Sequence, residues 1–375
     1  MNQPIAFNDL QAQRRQLGEP LVKAIQTAVE GGQWILGPQV AQFEKDLAQW
    51  AGVRHAVSCA SGTDALLLVL RAWGVGPGDA VFVPAFTFAA TAEVAALVGA
   101  EPVFVDVRPD TFNMDPASLE AAIALVKRVG KLKPKVVIPV DLFGQPADYQ
   151  ALTPIAARAG LKLFCDAAQG FGSLLDGKCA ASMGDAAATS FFPAKPLGCY
   201  GDGGACLTND DALKDLLLSL RMHGQGTDRY EHVHIGTASR LDTIQAAILI
   251  EKLKIFSDEI DLRNKVARRY NHAFAGSRRI ITPAVIAGAT STWAQYTLQV
   301  EDRASFQADL KAAGVPTAVY YPIPLNRQKA YAGYPSVPTP ATEVLSQRVV
   351  SLPMHPYLDQ ATQDHIIGAV LASTG

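Results

Sequence analysis

Short apolar runs alternate with longer amphipathic stretches through the first two-thirds of the chain. The runs are "HAVSCA", "AVFVPA", "PVFVDV", "KVVIPV", "LKLFCD", "ATSFF" and "GACLTN". They are continuously apolar rather than alternating, as strands covered on both faces are. Between them, "DALLLVLRAWG", "AATAEVAALVG" and "YQALTPIAARAG" read as helices. A βαβαβ order of this kind predicts an α/β fold with a mainly parallel seven-stranded sheet and right-handed crossovers.

The pattern changes at Leu241. "LDTIQAAILIEKLKIFSDEIDLRNKVARRYNHAFAG" reads as one long helical stretch, bent or broken, with Leu241, Ile244 and Ile248 at helical spacing. "STWAQYTLQV", "RASFQADLKAAG" and "TAVYYPI" then read as strand, helix and strand, the makings of a smaller C-terminal α/β domain. The boundary falls near Lys252, giving a large domain over 1–252 and a small one over 253–375. The Pro- and Gly-rich "YAGYPSVPTPATE" reads as a surface loop.

Composition narrows the class without naming a chemistry. With 49% hydrophobic residues in 375, the chain can bury a large core. Its formal charge of −2 offers nothing to nucleic acid or to a membrane surface. No apolar run is long enough to span a bilayer, and "MNQPIAFNDLQAQRR" lacks the apolar core of a signal peptide. Cys59, Cys165, Cys179, Cys199 and Cys206 have no metal-ligand spacing, so reduced, buried thiols in a cytoplasmic protein are expected.

Four segments place chemistry beyond the carboxyl ends of strands, where open α/β sheets bind ligands. In "SCASGTDALL" a strand turns at Gly62 into a helix starting near Thr63, a ready anion site. Taken alone, an ordinary N-cap by Ser61 or Thr63 is the better explanation of that segment. In "LKLFCDAAQG", Asp166 ends an apolar strand and Gln169 follows. The carboxylate needs a partner there, such as a protonated ring nitrogen, unless it merely caps the next helix. In "PAFTFAAT", Phe88 is placed to lie on a planar ring or to pack in the core. In "SFFPAKPLGCYGDGGA", Lys195 sits in an otherwise apolar or small segment. A desolvated lysine has a lowered pKa and forms Schiff bases, whereas a snorkelling one does not. Taken together the four suit one cofactor, pyridoxal 5′-phosphate (PLP), with its phosphate, ring, pyridinium nitrogen and aldehyde.

These segments, with "GGQWILGPQVAQFEKDLAQWAG", "VDLFGQPAD", "RMHGQG", "SRLDTIQAAIL" and "YYPIPL", resemble the DegT/DnrJ/EryC1/StrS family over nearly the whole chain. That family comprises PLP-dependent nucleotide-sugar aminotransferases of fold type I, the aspartate aminotransferase architecture. The resemblance implies Lys195 as the Schiff-base and proton-moving lysine, and Asp166 as the partner of the ring nitrogen. It also implies Gln169 at the phenolic oxygen, Phe88 on the ring, and Gly62, Thr63 and Ser190 at the phosphate. Family members that dehydrate sugars carry histidine in place of Lys195. The family further implies a homodimer with shared active sites, in which Arg240 meets a substrate carboxylate from across the interface. L-Glutamate is the usual amino donor, and ping-pong kinetics follow if one lysine serves both halves.

Two departures stand out. Ala238 replaces an Asn that reaches the neighbouring subunit's phosphate, and Asn326 stands where His is frequent. The likeness is strongest to enzymes aminating C3 of UDP-linked 2-acetamido-3-keto sugars, some of them uronic acids, with Tyr320 and Tyr321 at the substrate. Members acting at C4 more often have Glu where this chain has Asp202. A C4 aminotransferase on a 4-keto-6-deoxy sugar stays open, as does a non-catalytic PLP-binding regulator. A nicotinamide-dependent oxidoreductase is disfavoured, because "GVGPGDA" lacks the dinucleotide fingerprint. His232 and His234 in "EHVH" share a face of an expected strand. With no evident carboxylate or cysteine partner they suggest an interface or surface role rather than a metal site, and His223 is expected to be structural.

Overall fold

The computed structural model describes residues 4–228 and 230–374. All seven apolar runs become strands of one sheet: β1 (His55–Cys59), β2 (Asp79–Pro84), β3 (Glu101–Val105), β4 (Lys133–Val137), β5 (Lys162–Asp166), β6 (Ala186–Ser190) and β7 (Gly204–Thr208). Their order is β1-β7-β6-β5-β4-β2-β3. Only β7 runs against its neighbours, β1 and β6. Alternate residues feed separate cores: Phe82, Cys165 and Ala187 on one face, and Val81, Phe164 and Ala186 on the other. Coverage of both faces explains why the runs show no polar alternation.

Helices α1 (Leu10–Glu30), α2 (Pro38–Ala51), α3 (Gly62–Ala72), α4 (Ala90–Leu97), α5 (Pro116–Val129), α6 (Tyr149–Ala159) and α7 (Asp211–Leu220) cover the sheet. Their ends are written in local chemistry. The Asp115 side chain accepts from Ser118 N at 2.8 Å ahead of Pro116, and Gly130 closes α5 at φ 69°. Removing such a cap costs about 1 kcal/mol.

The stretch expected to bend or break is one continuous helix, α8 (Thr243–Phe274). It passes between cores. Ala246, Leu249, Phe256 and Ile260 join the first, whereas Val266, Tyr270 and Phe274 join that of the C-terminal part. The latter packs α9 (Arg303–Ala312), α10 (Pro340–Arg348) and α11 (Gln360–Ser373) around β8 (Ile280–Ile281), β9 (Tyr296–Val300) and β10 (Val349–Leu352). Ile5 packs against the same core.

Three expectations need correction. "TAVYYPI" is not a strand; only an isolated bridge joins Ala318 to Ser351. Pro316, Pro322 and Pro324 bracket it and lack the N–H a ladder needs. "YAGYPSVPTPATE" is more than a surface loop, since Phe104 N donates to Pro335 O at 2.9 Å and the segment covers the β3 edge before starting α10. His232 and His234 occupy no strand. His232 makes a lone bridge to Gln225, and its Nδ1 lies 3.0 Å from the His223 carbonyl.

Candidate active site

β1, β5 and β6 end on the same edge of the sheet, and the chemistry collects there. Ser61 caps α3 by accepting from Asp64 N at 3.0 Å. Gly62 is required by space: a Cβ there would stand 2.6 Å from the Cβ of Ser190. The absent side chain brings the α3 N-terminus against the end of β6. Backbone N–H groups, Thr63 and the Ser190 hydroxyl thus share one hollow suited to an anion.

Asp166, at the end of β5, is 4% exposed. Its Oδ2 accepts from Thr91 Oγ1 at 2.8 Å and its Oδ1 from Ala168 N at 3.2 Å. Burial raises its pKa, while those bonds and the charge of Lys195 oppose the rise. Burial lowers the pKa of Lys195, against the pull of Asp166. Lys195 is held in a tight turn, its own N–H donating to Phe192 O at 2.8 Å and that of Cys199 to Phe191 O at 2.7 Å.

One cavity of about 410 Å³ gathers Gly62, Thr63, Phe88, Asp166, Gln169, Ser190, Lys195, Tyr320 and Tyr321. Phe88 stands at its mouth, 55% exposed, its ring 6.3 Å from that of Tyr321. Gln169 is buried, its Oε1 taken by Phe143 N at 2.8 Å and its Nε2 donating to Tyr321 OH at 3.0 Å. One amide N–H therefore remains to meet a ligand. A larger hollow of about 520 Å³, between Leu67, Arg71 and Leu97, contains no carboxylate, thiol or lysine.

Arg240 is not brought to this cavity. It is half-buried and has no hydrogen-bond or ion-pair partner among the described residues. Ala238 is exposed, with its backbone bridged to Met222. Asn326 also lies elsewhere, donating to Ser336 Oγ at 3.2 Å and Thr339 Oγ1 at 3.0 Å. Sequence reasoning missed Thr91, which orients Asp166, and Gln295, which lines the cavity with a buried Oε1 lacking a partner. Thr87 and Thr91 did carry a signal. They are two polar residues four apart in a small apolar segment, and their hydroxyls lie 3.3 Å from each other.

The residues present fit PLP. A glycine-floored helix N-terminus suits its phosphate, a buried carboxylate its ring nitrogen, a desolvated amine its aldehyde and an open aromatic its face.

Comparison with known proteins agrees. The DegT/DnrJ/EryC1/StrS aminotransferase family matches residues 15–371. The chain is 48% identical over 366 residues to a UDP-2-acetamido-2-deoxy-3-oxo-D-glucuronate aminotransferase of Pseudomonas aeruginosa, covering 98% of this chain and 99% of that one. It is 40% identical over 357 residues to a UDP-N-acetyl-3-dehydro-alpha-D-glucosamine 3-aminotransferase of Acidithiobacillus ferrooxidans, covering 95% and 94%. The crystal structure of a DegT DnrJ EryC1 StrS aminotransferase from Brucella abortus matches with a TM-score of 0.97 at 52% identity, covering 99% and 100%.

Proposed function

The chain belongs to the DegT/DnrJ/EryC1/StrS aminotransferase family, and on that premise we propose that it moves an amino group from L-glutamate to the 3-keto carbon of a UDP-linked 2-acetamido-3-keto uronic acid. It is a PLP-dependent aminotransferase acting at C3 of a nucleotide sugar. The observation that carries the catalytic reading is the meeting of Lys195 and Asp166 in one cavity, close enough to bias each other's charge. The uronic acid and UDP rest on the likeness to the Pseudomonas aeruginosa enzyme.

PLP, when bound, supplies an aldehyde and an electron-accepting ring. Lys195 would hold it through Nζ, and its amine is the group that would take the proton from Cα of the amino donor and later deliver one to C3 of the sugar. Asp166 keeps a proton on the ring nitrogen, and Thr91 holds its carboxylate in place. Gly62, Thr63 and Ser190 would bind the phosphate, and Phe88 would pack on the ring. One lysine serves both halves, so the kinetics are ping-pong. Turnover with a panel of 3-keto and 4-keto UDP- and dTDP-sugars, read by mass spectrometry, tests the substrate. Preference for a 4-keto-6-deoxy dTDP-sugar overturns it. Cofactor bound but not bleached by L-glutamate or another amino donor, with no sugar turned over, supports the regulator instead.

The working unit in this reading is a homodimer with shared sites. Lys195 is the only cationic side chain lining the cavity among the described residues, yet a uronate carboxylate calls for a cation of its own. Arg240, without a partner among the described residues, is suited to bind a carboxylate in a second copy. Trp34 and Ile235, 58% and 84% exposed, are apolar surface for that copy to cover. Mixing Lys195→Ala and Arg240→Ala homodimers, each inactive, puts both lesions in one site and leaves the other intact. Random exchange should restore about a quarter of wild-type activity. Background activity after confirmed exchange sinks the trans role of Arg240. No helix among the described residues is long and apolar enough to cross a membrane. Five buried, free cysteines support a cytoplasmic site of action.

A further inference from the structure

Lys252 is the most deeply buried lysine among the described residues, 1% exposed on α8. Its Nζ donates to the Gly198 carbonyl at 2.6 Å and sits 4.4 Å from the centre of the Tyr200 ring. Both partners belong to the turn that presents Lys195. Gly198 presses back on that turn so closely that a Cβ there would stand 2.7 Å from Phe192 O and 2.5 Å from Pro193 O. A second tie from α8 grips the next residues: Gln245 Oε1 accepts from Tyr200 N at 2.8 Å.

The helix that makes these ties is itself anchored. Glu259 accepts from Gln13 Nε2 at 2.9 Å and from Tyr357 OH. Arg263 donates to Trp293 O at 3.1 Å and Met354 O at 3.3 Å. Helical spacing puts Lys252, Glu259 and Arg263 on one stripe. We infer that Lys252 is a positioning residue, fastening the Lys195 turn to α8 so that the Lys195 amine is aimed at the reacting carbon. The inference rests on the reading of Lys195 given above.

Stability does not account for such a residue. A buried ammonium with one hydrogen bond and an aromatic face is incompletely compensated, and an apolar side chain of similar length is often tolerated as well or better. Burial accordingly lowers Lys252 to about 8, with Glu259 and Cys199 resisting. The groups facing it are Cys199 and Tyr200 from the turn and Glu259 from its own helix.

The holoenzymes of wild type, Lys252→Met and Lys252→Arg test this. The readouts are the pH midpoint of the visible band of the Lys195-bound cofactor, the single-turnover rate with amino donor, its KM, and Tm. Lys252→Met should hold its Tm while the rate falls about 10- to 100-fold, as for a misplaced reacting group, with KM little changed. Its band midpoint should shift, because a loosened turn changes how Lys195 sits against Asp166, the charge that favours its protonated form. Lys252→Arg should restore both. A wild-type rate and midpoint in Lys252→Met overturns the inference. So does a rate loss that follows Tm and is not rescued by arginine. Should Lys252→Met prove insoluble, Lys252→Arg decides: a wild-type midpoint and rate support the tie, and a shifted midpoint at unchanged Tm overturns it. A wild-type protein without a borohydride-reducible band instead defeats the reading of Lys195 itself.

Discussion

Lys195→Ala will give a folded, colourless protein with essentially no turnover. In the proposed reading the side chain supplies the covalent hold on the cofactor and the base for both half-reactions, so no remaining group would replace it. Loss of such a nucleophile and base costs about 10⁴-fold or more. The fold should tolerate the change, because Lys195 lines a cavity and its turn is closed by backbone bonds from the N–H groups of Lys195 and Cys199. Truncation also removes a desolvated amine, which favours stability. Borohydride treatment followed by peptide mapping checks the assignment. A reducible band that persists in the variant, fixed to another lysine, means that Lys195 was misassigned, and the buried Lys252 is the one to examine first.

Asp166→Asn is expected to cripple the donor half-reaction by about 10³-fold while leaving the structure intact. Asparagine keeps the size of the side chain. Its Oδ1 can still accept from Ala168 N, and its Nδ2 can donate to Thr91 Oγ1, which accepts as well as donates. What disappears is the negative charge, and with it the force that keeps a proton on a ring nitrogen held in a buried site. Burial already works against that charge, so the variant gains desolvation energy and should not unfold more easily. The measurement is the single-turnover rate with L-glutamate, set beside the Tm. A near-wild-type rate removes Asp166 from its role, and a collapsed Tm with proportionate loss makes the role structural.

The two residues with the largest effects were legible without coordinates because each violates its local pattern. Lys195 is a charge in an apolar and small segment, and Asp166 closes a strand that is otherwise hydrophobic. Thr91 broke its pattern only slightly, since a threonine in a helix is unremarked until a carboxylate is found 2.8 Å from it. Lys252 looked like one of several charges on a long helix. Its burial depends on the turn at Gly198 and Tyr200 lying across that face, and helical periodicity cannot report which neighbour arrives there.

The seven strands, the helices read from "DALLLVLRAWG", "AATAEVAALVG" and "YQALTPIAARAG", and the placing of Gly62, Asp166 and Lys195 beyond strand ends were legible in the sequence alone. Periodicity, caps and turn residues act over a few positions, and both faces of the sheet had to be apolar. Tertiary structure decided what those elements meet. It placed β7 antiparallel between β1 and β6, joining strands far apart in the chain. It kept α8 continuous across two cores, where its local pattern allowed a break. It drew Tyr320 and Tyr321 to the cavity on an irregular segment whose prolines deny it a ladder. It also left Arg240 outside the cavity. The physical reason is the same in each case. Backbone pattern is set by near neighbours, whereas burial and hydrogen-bond partners are set by chain segments that only the folded topology brings within a few ångströms.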